Sequence, residues 1–357
     1  MTATERLADM LHLTAHTAVL IHDPSNLFYL TEGYDGEGML YLTAERNVLI
    51  TDFRYIEAAE KKTSGFGIAR TEHDHSREKW LAELCEADGI HEIRFESNYL
   101  SVDDYEKLRE SLGDEVSFTP LRKAPQVLRE IKTPGEIVTM RKAAAITSEA
   151  FDTVLGKIRP GMTETELRLE LESILYRLGA ESLAFNTIIA SGENGSLPHA
   201  VPGNRKLQAG DMITMDFGAK VGGYCSDMTR TVALGTPTPE MRKVFNTVLR
   251  AQNMCEAALA AGKNCFDIDR LARDYIDSQG YAGCFGHGLG HCVGIDIHEN
   301  PRLSPSCHDT LKAGMVITVE PGIYIPGVGG VRIENTCLVK EHGSDPLTTA
   351  NKDLVIL

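Results

Sequence analysis

The sequence contains no run of about 20 apolar residues, the length that a membrane-spanning helix requires, although 42% of its 357 residues are hydrophobic. Residues 1–7 form a polar, amphipathic stretch without the apolar core of a signal peptide. These absences argue against insertion into a membrane and against export. We therefore expect a cytoplasmic protein with no membrane partner.

Basic residues are scarce as well. The chain has 36 lysines and arginines against 51 aspartates and glutamates, a formal net charge of −15. Binding to a phosphate backbone needs a basic surface, so we expect no nucleic-acid partner. The eight cysteines are scattered and form no CxxC pair, which favours free thiols in a reducing compartment.

What the sequence does contain is an internal repeat with a period of about a hundred residues. Residues 209–216 and 313–320 agree, identically or conservatively, at nearly every position. Upstream of each string lie two helical patterns, and the longer ones begin at Thr133-Pro134 and Thr238-Pro239, where a capping hydroxyl precedes a proline. Solenoid units are shorter, at about 20 to 50 residues. The repeat therefore predicts a helix–helix–hairpin unit used twice in one pseudo-twofold domain, with both hairpins in a shared curved sheet.

Each repeated string ends in a carboxylate, and a second acid follows it across a predicted hairpin. A turn over residues 220–223 predicts that Asp216 lies directly opposite Asp227, and pairing around Gly327 predicts Glu320 opposite Glu334. Acids this close repel one another unless a cation lies between them. Because the flanking residues are apolar and typical of buried strands, we interpret the four acids as a convergent site rather than as surface charges.

Three histidines lie between the hairpins. Residues 285–299 include His287, His291 and His298 among several glycines, which allow a close approach of backbone and metal. An oxygen-rich site with one imidazole suits a pair of divalent first-row ions such as manganese, cobalt, iron or zinc. These residues alone leave open which histidine is the ligand.

These motifs resemble those of the pita-bread metallopeptidases, the group that contains methionine aminopeptidase, aminopeptidase P and prolidase. The matching strings are Met215-Asp216-Phe217-Gly218, Ser226-Asp227-Met228-Thr229-Arg230-Thr231, Gly290-His291, Ile297-His298-Glu299, Glu320-Pro321-Gly322-Ile323-Tyr324 and Val331-Arg332-Ile333-Glu334-Asn335. Residues 1–122 resemble the creatinase-type N-terminal domain of the proline-specific branch. The resemblance implies an α+β pita-bread catalytic domain over residues 123–357, preceded by a smaller α/β domain over residues 1–122. The proline-bearing, basic residues 119–125 mark the boundary.

The resemblance also implies a role for each candidate residue. The metal ligands are Asp216, Asp227, His291, Glu320 and Glu334, with His291 selected because the family's ligand precedes the His-Glu pair by seven residues. Glu320 would also act as general base and acid, while His298 and His199 would stabilise the tetrahedral intermediate and contact the scissile amide. The implied substrate-binding residues are His287, Arg302, Tyr324 and Arg332. Cys292 stands where glycine is common, and we interpret it as a small buried hydrophobe.

The function implied is hydrolysis of the bond before proline by a hydroxide that bridges two divalent ions, with manganese expected and cobalt, zinc or iron as alternatives. Arg302 favours an Xaa-Pro dipeptidase, because a guanidinium group can bind both oxygens of the dipeptide's free carboxylate. The alternative is an Xaa-Pro aminopeptidase acting on longer peptides. A non-catalytic peptide-binding module is disfavoured because all five ligands are present, and methionine aminopeptidase is disfavoured by the large N-terminal domain. The expected partners are a proline-containing di- or oligopeptide and a second copy in a homodimer.

Overall fold

The computed structural model describes all 357 residues and divides into two compact units, Met1–Arg129 and Glu130–Leu357. The division falls seven residues after the predicted boundary at residue 122 because the intervening helix is bonded to the first unit. In that helix Arg129 Nη1 donates to Asn26 Oδ1 at 2.8 Å, and the Leu128 carbonyl accepts from the Tyr29 hydroxyl at 3.1 Å. No helix of either unit combines the length and apolar composition that crossing a membrane requires.

The first unit is built on a six-stranded, mostly parallel sheet. Its strands are β1 (Thr17–Ile21), β2 (Met39–Leu42), β3 (Asn47–Thr51), β4 (Gly67–Arg70), β5 (Glu92–Phe95) and β6 (Ser117–Pro120). Its helices are α1 (Ala3–Leu11), α2 (Pro24–Leu30), α3 (Ile56–Lys62), α4 (Arg77–Asp88), α5 (Val102–Leu112) and α6 (Ala124–Glu130). The strand order is β4-β3-β2-β1-β5-β6, and only β2 runs antiparallel to its neighbours. This alternation of strands and helices confirms the predicted α/β character.

The second unit confirms the predicted repeat. Its first copy contains α7 (Pro134–Leu155), α8 (Glu164–Arg177), β7 (Ser182–Leu183), β8 (Ile188–Ser191), β9 (Met212–Phe217), β10 (Ala219–Val221), β11 (Tyr224–Cys225) and β12 (Met228–Ala233). Its second copy contains α9 (Pro239–Ala258), α10 (Cys265–Ile276), β13 (Gly290–Cys292), β14 (Glu299–Leu303), β15 (Val316–Val319), β16 (Gly322–Ile325), β17 (Gly329–Arg332), β18 (Asn335–Val339) and β19 (Ser344–Pro346). Each copy buries an apolar core between its helices and its strands, and Met212 and Ala233 of the first copy also pack into the core of the second.

The long helix of each copy begins at the predicted cap. Thr133 accepts from the backbone N–H of Glu136, whose carboxylate accepts in return from the Thr133 N–H. Thr238 likewise accepts from the backbone N–H of Met241. Both caps satisfy N–H groups that have no partner within the helix, and this fixes where α7 and α9 start. All eight cysteines are unpaired, as predicted.

The predicted register of the first hairpin is wrong by two residues. Asp216 lies opposite Thr229, not opposite Asp227. The cause is a two-residue turn at Gly222 and Gly223, whose φ angles of 53° and 77° suit the tight turn that twisted hairpins prefer. Because Asp227 precedes Thr229 by two residues, it still lies on the same face as Asp216, as a diagonal neighbour.

The predicted register of the second hairpin is confirmed. Gly322 pairs with Arg332 and Ile325 with Gly329, and continuing this register places Glu320 opposite Glu334. The two hairpins nevertheless belong to separate sheets, so the single shared sheet is not observed. They meet through a backbone hydrogen bond of 3.0 Å from Glu334 N to Thr229 O and through the buried guanidinium of Arg230, which donates to the Glu334 carbonyl.

Candidate active site

The five predicted metal ligands lie together in the second unit. Carboxylate oxygens of Asp216, Asp227 and Glu334 are all within 4.8 Å of one another. His291 Nε2 lies 3.6 Å from Asp227 Oδ2 and 3.4 Å from Glu320 Oε1. Asp216 lies in β9, Asp227 just before β12 and His291 in β13, while Glu320 follows β15 and Glu334 follows β17. Both copies of the repeat therefore supply residues to one cluster.

Burial and mutual repulsion dominate the electrostatics of this cluster. Burial, reinforced by Glu334, Asp216 and Glu320, raises the pKa of Asp227 well above its usual range. Burial and the charges of Glu320 and Asp216 do the same to the pKa of Glu334. Burial also opposes ionisation of Glu320, but the hydrogen bond and charge of His291 outweigh it and lower the pKa of Glu320 to about 2. Acids crowded in this way attract a cation.

The orientation of His291 suits a metal ligand. Its Nδ1 donates to the Cys292 carbonyl at 3.1 Å, and Nε2 then faces the carboxylates. Such a hydrogen bond on the second ring nitrogen is common among metal-binding histidines. The Thr318 hydroxyl accepts from the His291 backbone N–H and donates to Glu320 Oε1 at 3.2 Å. The Cys292 thiol is fully buried, and burial raises its pKa to about 12, in line with its interpretation as a small hydrophobe.

Arg332 links the cluster to two further predicted residues. Its Nη2 donates to Asp216 Oδ2 at 2.6 Å and its Nη1 to the Tyr324 hydroxyl at 2.9 Å. His287 Nδ1 contacts the Gly288 carbonyl at 2.8 Å, so its Nε2 accepts from the Tyr324 hydroxyl at 2.8 Å. Burial lowers the pKa of His287 and thereby favours this neutral form. The imidazole of His287 is therefore held by Tyr324 at the cavity wall.

The cluster opens into a cavity of about 440 Å³. Every predicted site residue except Tyr324 lines it, and Tyr324 lies behind Arg332 and His287. His199, His298 and Arg302 are exposed, as expected of the rim. The rings of His298 and His291 are 4.5 Å apart, and partial burial, then His291 and Arg302, lower the pKa of His298 to about 4.

Several residues of the site are not predicted by the sequence motifs. Thr229 donates to Glu334 Oε2 at 2.7 Å and accepts from Arg332 Nε at 3.2 Å. Its position two residues after Asp227, on the same strand face, is the signal that could have identified it. Phe185 and Ile188, which line the cavity, lie in a stretch without any catalytic motif.

Comparison with known proteins identifies both units. Residues 138–341 match metallopeptidase family M24, and residues 4–131 match the creatinase/prolidase N-terminal domain. The chain belongs to metallopeptidase family M24. The predicted enzyme class and the α+β pita-bread fold with its creatinase-type N-terminal domain are thus confirmed.

Several solved structures and curated sequences that resemble this M24 metallopeptidase are named as Xaa-Pro peptidases. The Xaa-Pro dipeptidase from Bacillus anthracis has a TM-score of 0.94 and 37% identity, with 99% of each chain covered. The X-Pro aminopeptidase from Thermotoga maritima has a TM-score of 0.92 and 32% identity, covering 99% of this chain and 100% of that one. The Xaa-Pro dipeptidase of Pyrococcus horikoshii is 33% identical over 98% of both sequences.

Metallopeptidases of family M24 bind divalent metals, and the carboxylate cluster fits such ions. Asp216 Oδ1 and Glu334 Oε1 are buried acceptors without any hydrogen-bond partner. An acceptor left in this state is costly, and a cation at the cluster would satisfy both oxygens. Four carboxylates and one imidazole also form a donor set typical of divalent first-row ions.

We expect added manganese to raise the Tm of the metal-stripped protein. Saturation at about a hundred times Kd stabilises a protein by about 2.7 kcal/mol, which for a unit of this size corresponds to about 5–10 °C. Scanning calorimetry with and without the ion measures the shift. Asp227→Asn should lose most of this shift, whereas Asp345→Asn, at a half-buried acid outside the cluster that pairs with Arg141 and Lys340, should keep it. An undiminished shift in Asp227→Asn would refute the assignment of this ligand.

Proposed function

We propose that this metallopeptidase hydrolyses the peptide bond before proline in Xaa-Pro dipeptides, using two divalent cations held by Asp216, Asp227, His291, Glu320 and Glu334. The observation that carries the proposal is one cavity that contains both this cluster and Arg302. Its volume of about 440 Å³ is near the lower end of the range of small-molecule sites, about 300–1,000 Å³. Such a volume suits a short peptide, and the similarity to the Xaa-Pro dipeptidases of Bacillus anthracis and Pyrococcus horikoshii supports the same substrate class.

The side chains around the cluster have distinct tasks in this proposal. When bound, the cations would supply an activated water and polarise the scissile carbonyl. Glu320 accepts the proton of the attacking water at a carboxylate oxygen and returns it to the proline nitrogen as the bond breaks. His298 and His199 donate hydrogen bonds to the substrate from the rim. Arg332 keeps Asp216 oriented through its 2.6 Å hydrogen bond.

Arg302 provides a test of the dipeptide specificity. We expect Arg302→Met to raise KM for Leu-Pro by about 10- to 100-fold, because a hydrogen bond to a charged group is worth about 1.5–3 kcal/mol. Leu-Pro amide lacks the carboxylate, so its KM should be equal in the variant and the wild type. Arg270→Met alters another exposed arginine and serves as the matched control. An equal rise of KM for both substrates would show that Arg302 does not bind the carboxylate.

The second candidate is an Xaa-Pro aminopeptidase acting on longer peptides. It is favoured by the TM-score of 0.92 with the Thermotoga maritima X-Pro aminopeptidase. The deciding experiment compares Leu-Pro with the tripeptide Leu-Pro-Gly on metal-stripped enzyme resupplied separately with manganese, cobalt, zinc or iron. Metal-dependent cleavage of the dipeptide supports the proposal, and preferential cleavage of the tripeptide supports the alternative. Inactivity on both with every ion would refute both.

A further inference from the structure

Glu164, the first residue of α8, is a fully buried acid outside the metal cluster. It forms no ion pair, and its partners are hydrogen-bond donors only. Its Oε1 accepts from Ser191 N at 2.8 Å, from Ser191 Oγ at 2.7 Å and from Asn194 Nδ2 at 3.1 Å. Its Oε2 accepts from Asn194 Nδ2 at 3.1 Å and from Gly203 N at 3.2 Å. Burial of a carboxyl group is costly, so this set of donors needs a structural reason.

All of these donors belong to one segment, residues 191–203, which we call the His199 loop. Ser191 and Asn194 lie at its start and Gly203 at its end, so the Glu164 carboxylate joins the two ends. His199 and the neighbouring Pro198 lie between them and line the catalytic cavity.

The middle of the His199 loop contacts the catalytic residues directly. Arg332 Nη1 donates to the Pro198 carbonyl at 3.3 Å. Gly195 packs backbone to backbone against Gly330 of β17, since a Cβ atom built at Gly330 would lie 2.1 Å from the Gly195 carbonyl oxygen. The strand that carries Arg332 therefore supports one side of the loop, while Glu164 closes its ends.

We propose that Glu164 is a positioning residue that holds His199 at the catalytic cavity by closing the His199 loop. This inference rests on the proposed function, in which His199 contacts the substrate. Each carboxylate oxygen of Glu164 faces donors alone. Glutamine has the same shape but would turn an NH₂ group toward the N–H of Ser191 or of Gly203. Glu164→Gln therefore breaks a hydrogen bond between Glu164 and one end of the His199 loop without creating a cavity.

The kinetic test is a double-mutant cycle between Glu164→Gln and His199→Ala. We expect Glu164→Gln to lower kcat for Leu-Pro by about 10²-fold, the effect of a small misplacement of a catalytic group, with a smaller change of KM. In the His199→Ala background the same substitution should change kcat by less than about threefold, because the affected residue is already missing. Independent effects that multiply would overturn the proposal, since a general loss of structure does not depend on His199.

Glu166→Gln is the matched control. Glu166 lies two residues further along the same helix, is exposed and bonds only to Thr163, so its loss weakens the helix cap without touching the His199 loop. We expect its kcat to stay within about threefold of the wild type. A loss as large as that of Glu164→Gln would overturn the proposal.

A readout independent of activity is hydrogen–deuterium exchange over residues 191–203, measured on the full chain with and without manganese. Glu164→Gln should exchange faster there than the wild type, and Glu166→Gln should not. If Glu164→Gln does not fold, Asn194→Ala removes one donor from the loop side and should accelerate exchange in the same segment. Unchanged exchange in the folded variant would overturn the proposal. An inactive wild type with faster exchange in Glu164→Gln would count against the proposed function and not against the loop closure.

Discussion

Glu320→Gln is expected to lower kcat for an Xaa-Pro dipeptide by about 10³-fold or more, because general acid–base catalysis alone contributes about 10²- to 10⁴-fold. Glutamine keeps the shape of the side chain and one ligand oxygen. It cannot accept the proton of the attacking water, and it loses the charge that His291 faces at 3.4 Å. The loss should appear in kcat more strongly than in KM, since the interaction belongs to the transition state.

The experiment must measure the metal content of each variant as well as its rate. Single-turnover kinetics on Leu-Pro, with bound manganese counted by mass spectrometry, separates a missing base from a missing ion. Asp227→Asn, which alters a ligand without a proton-transfer role, should regain activity as manganese is raised, whereas Glu320→Gln should not. Glu341→Gln, at an exposed acid of the same unit, is the control for the substitution itself. Activity within about tenfold of the wild type in fully loaded Glu320→Gln would refute the base assignment, because the loss of a general base exceeds that limit.

The cluster of four carboxylates and His291 could be predicted from the sequence because its signals are local. Asp216 and Glu320 end two copies of one string, and the hairpin after each string returns the chain with a second acid. Alternation along a strand places both acids of a hairpin on one face even when the register shifts by two residues. This is why Asp216 and Asp227 meet although the predicted register of their hairpin is wrong.

Features that depend on contacts distant in sequence could not be predicted in the same way. The two-residue turn at Gly222 and Gly223 depends on their positive φ angles, and the same amino-acid sequence is also compatible with a longer turn. Glu164 follows a capping threonine and looks like an ordinary first-turn acid, yet its partners lie 27 to 39 residues further along the chain. The unit boundary at Arg129 depends on its bond to Asn26, 103 residues away.

Lys132 and Glu299 form another such long-range contact, and it is buried. Lys132 Nζ lies 2.9 Å from Glu299 Oε2, with side-chain exposures of 1% and 8%. Glu299 Oε1 accepts from the backbone N–H groups of Ile295 at 3.1 Å and Asp296 at 3.3 Å. The pair therefore links Lys132 to the turn between the predicted ligand His291 and the rim residue His298.

Lys132→Met should destabilise the second unit by about 3–5 kcal/mol, because it deprives the buried Glu299 carboxylate of its ammonium counter-charge. For a unit of this size that corresponds to a fall of about 10 °C in Tm, measurable by calorimetry. Lys312→Met is the matched control: Lys312 pairs with Glu130 at 3.4 Å, is 59% exposed, and should lower the stability by less than about 1 kcal/mol.

The double variant Lys132→Met/Glu299→Gln separates the charge effect from lost packing. The Glu299→Gln substitution keeps an amide oxygen as acceptor for the Ile295 and Asp296 N–H groups while removing the charge that Lys132→Met leaves behind. We therefore expect the double variant to be more stable than Lys132→Met alone, with a coupling energy of about 1–3 kcal/mol. Two results would instead show that the turn before His298 is held by its backbone and not by the ion pair. One is that the stability losses of the two single variants add in the double variant, and the other is that Lys132→Met and Lys312→Met have the same Tm. The double variant has no charge at either position. Its activity, assayed well below its Tm, then reports whether the placement of His298 requires the Lys132–Glu299 ion pair or only the hydrogen bonds from the backbone to residue 299.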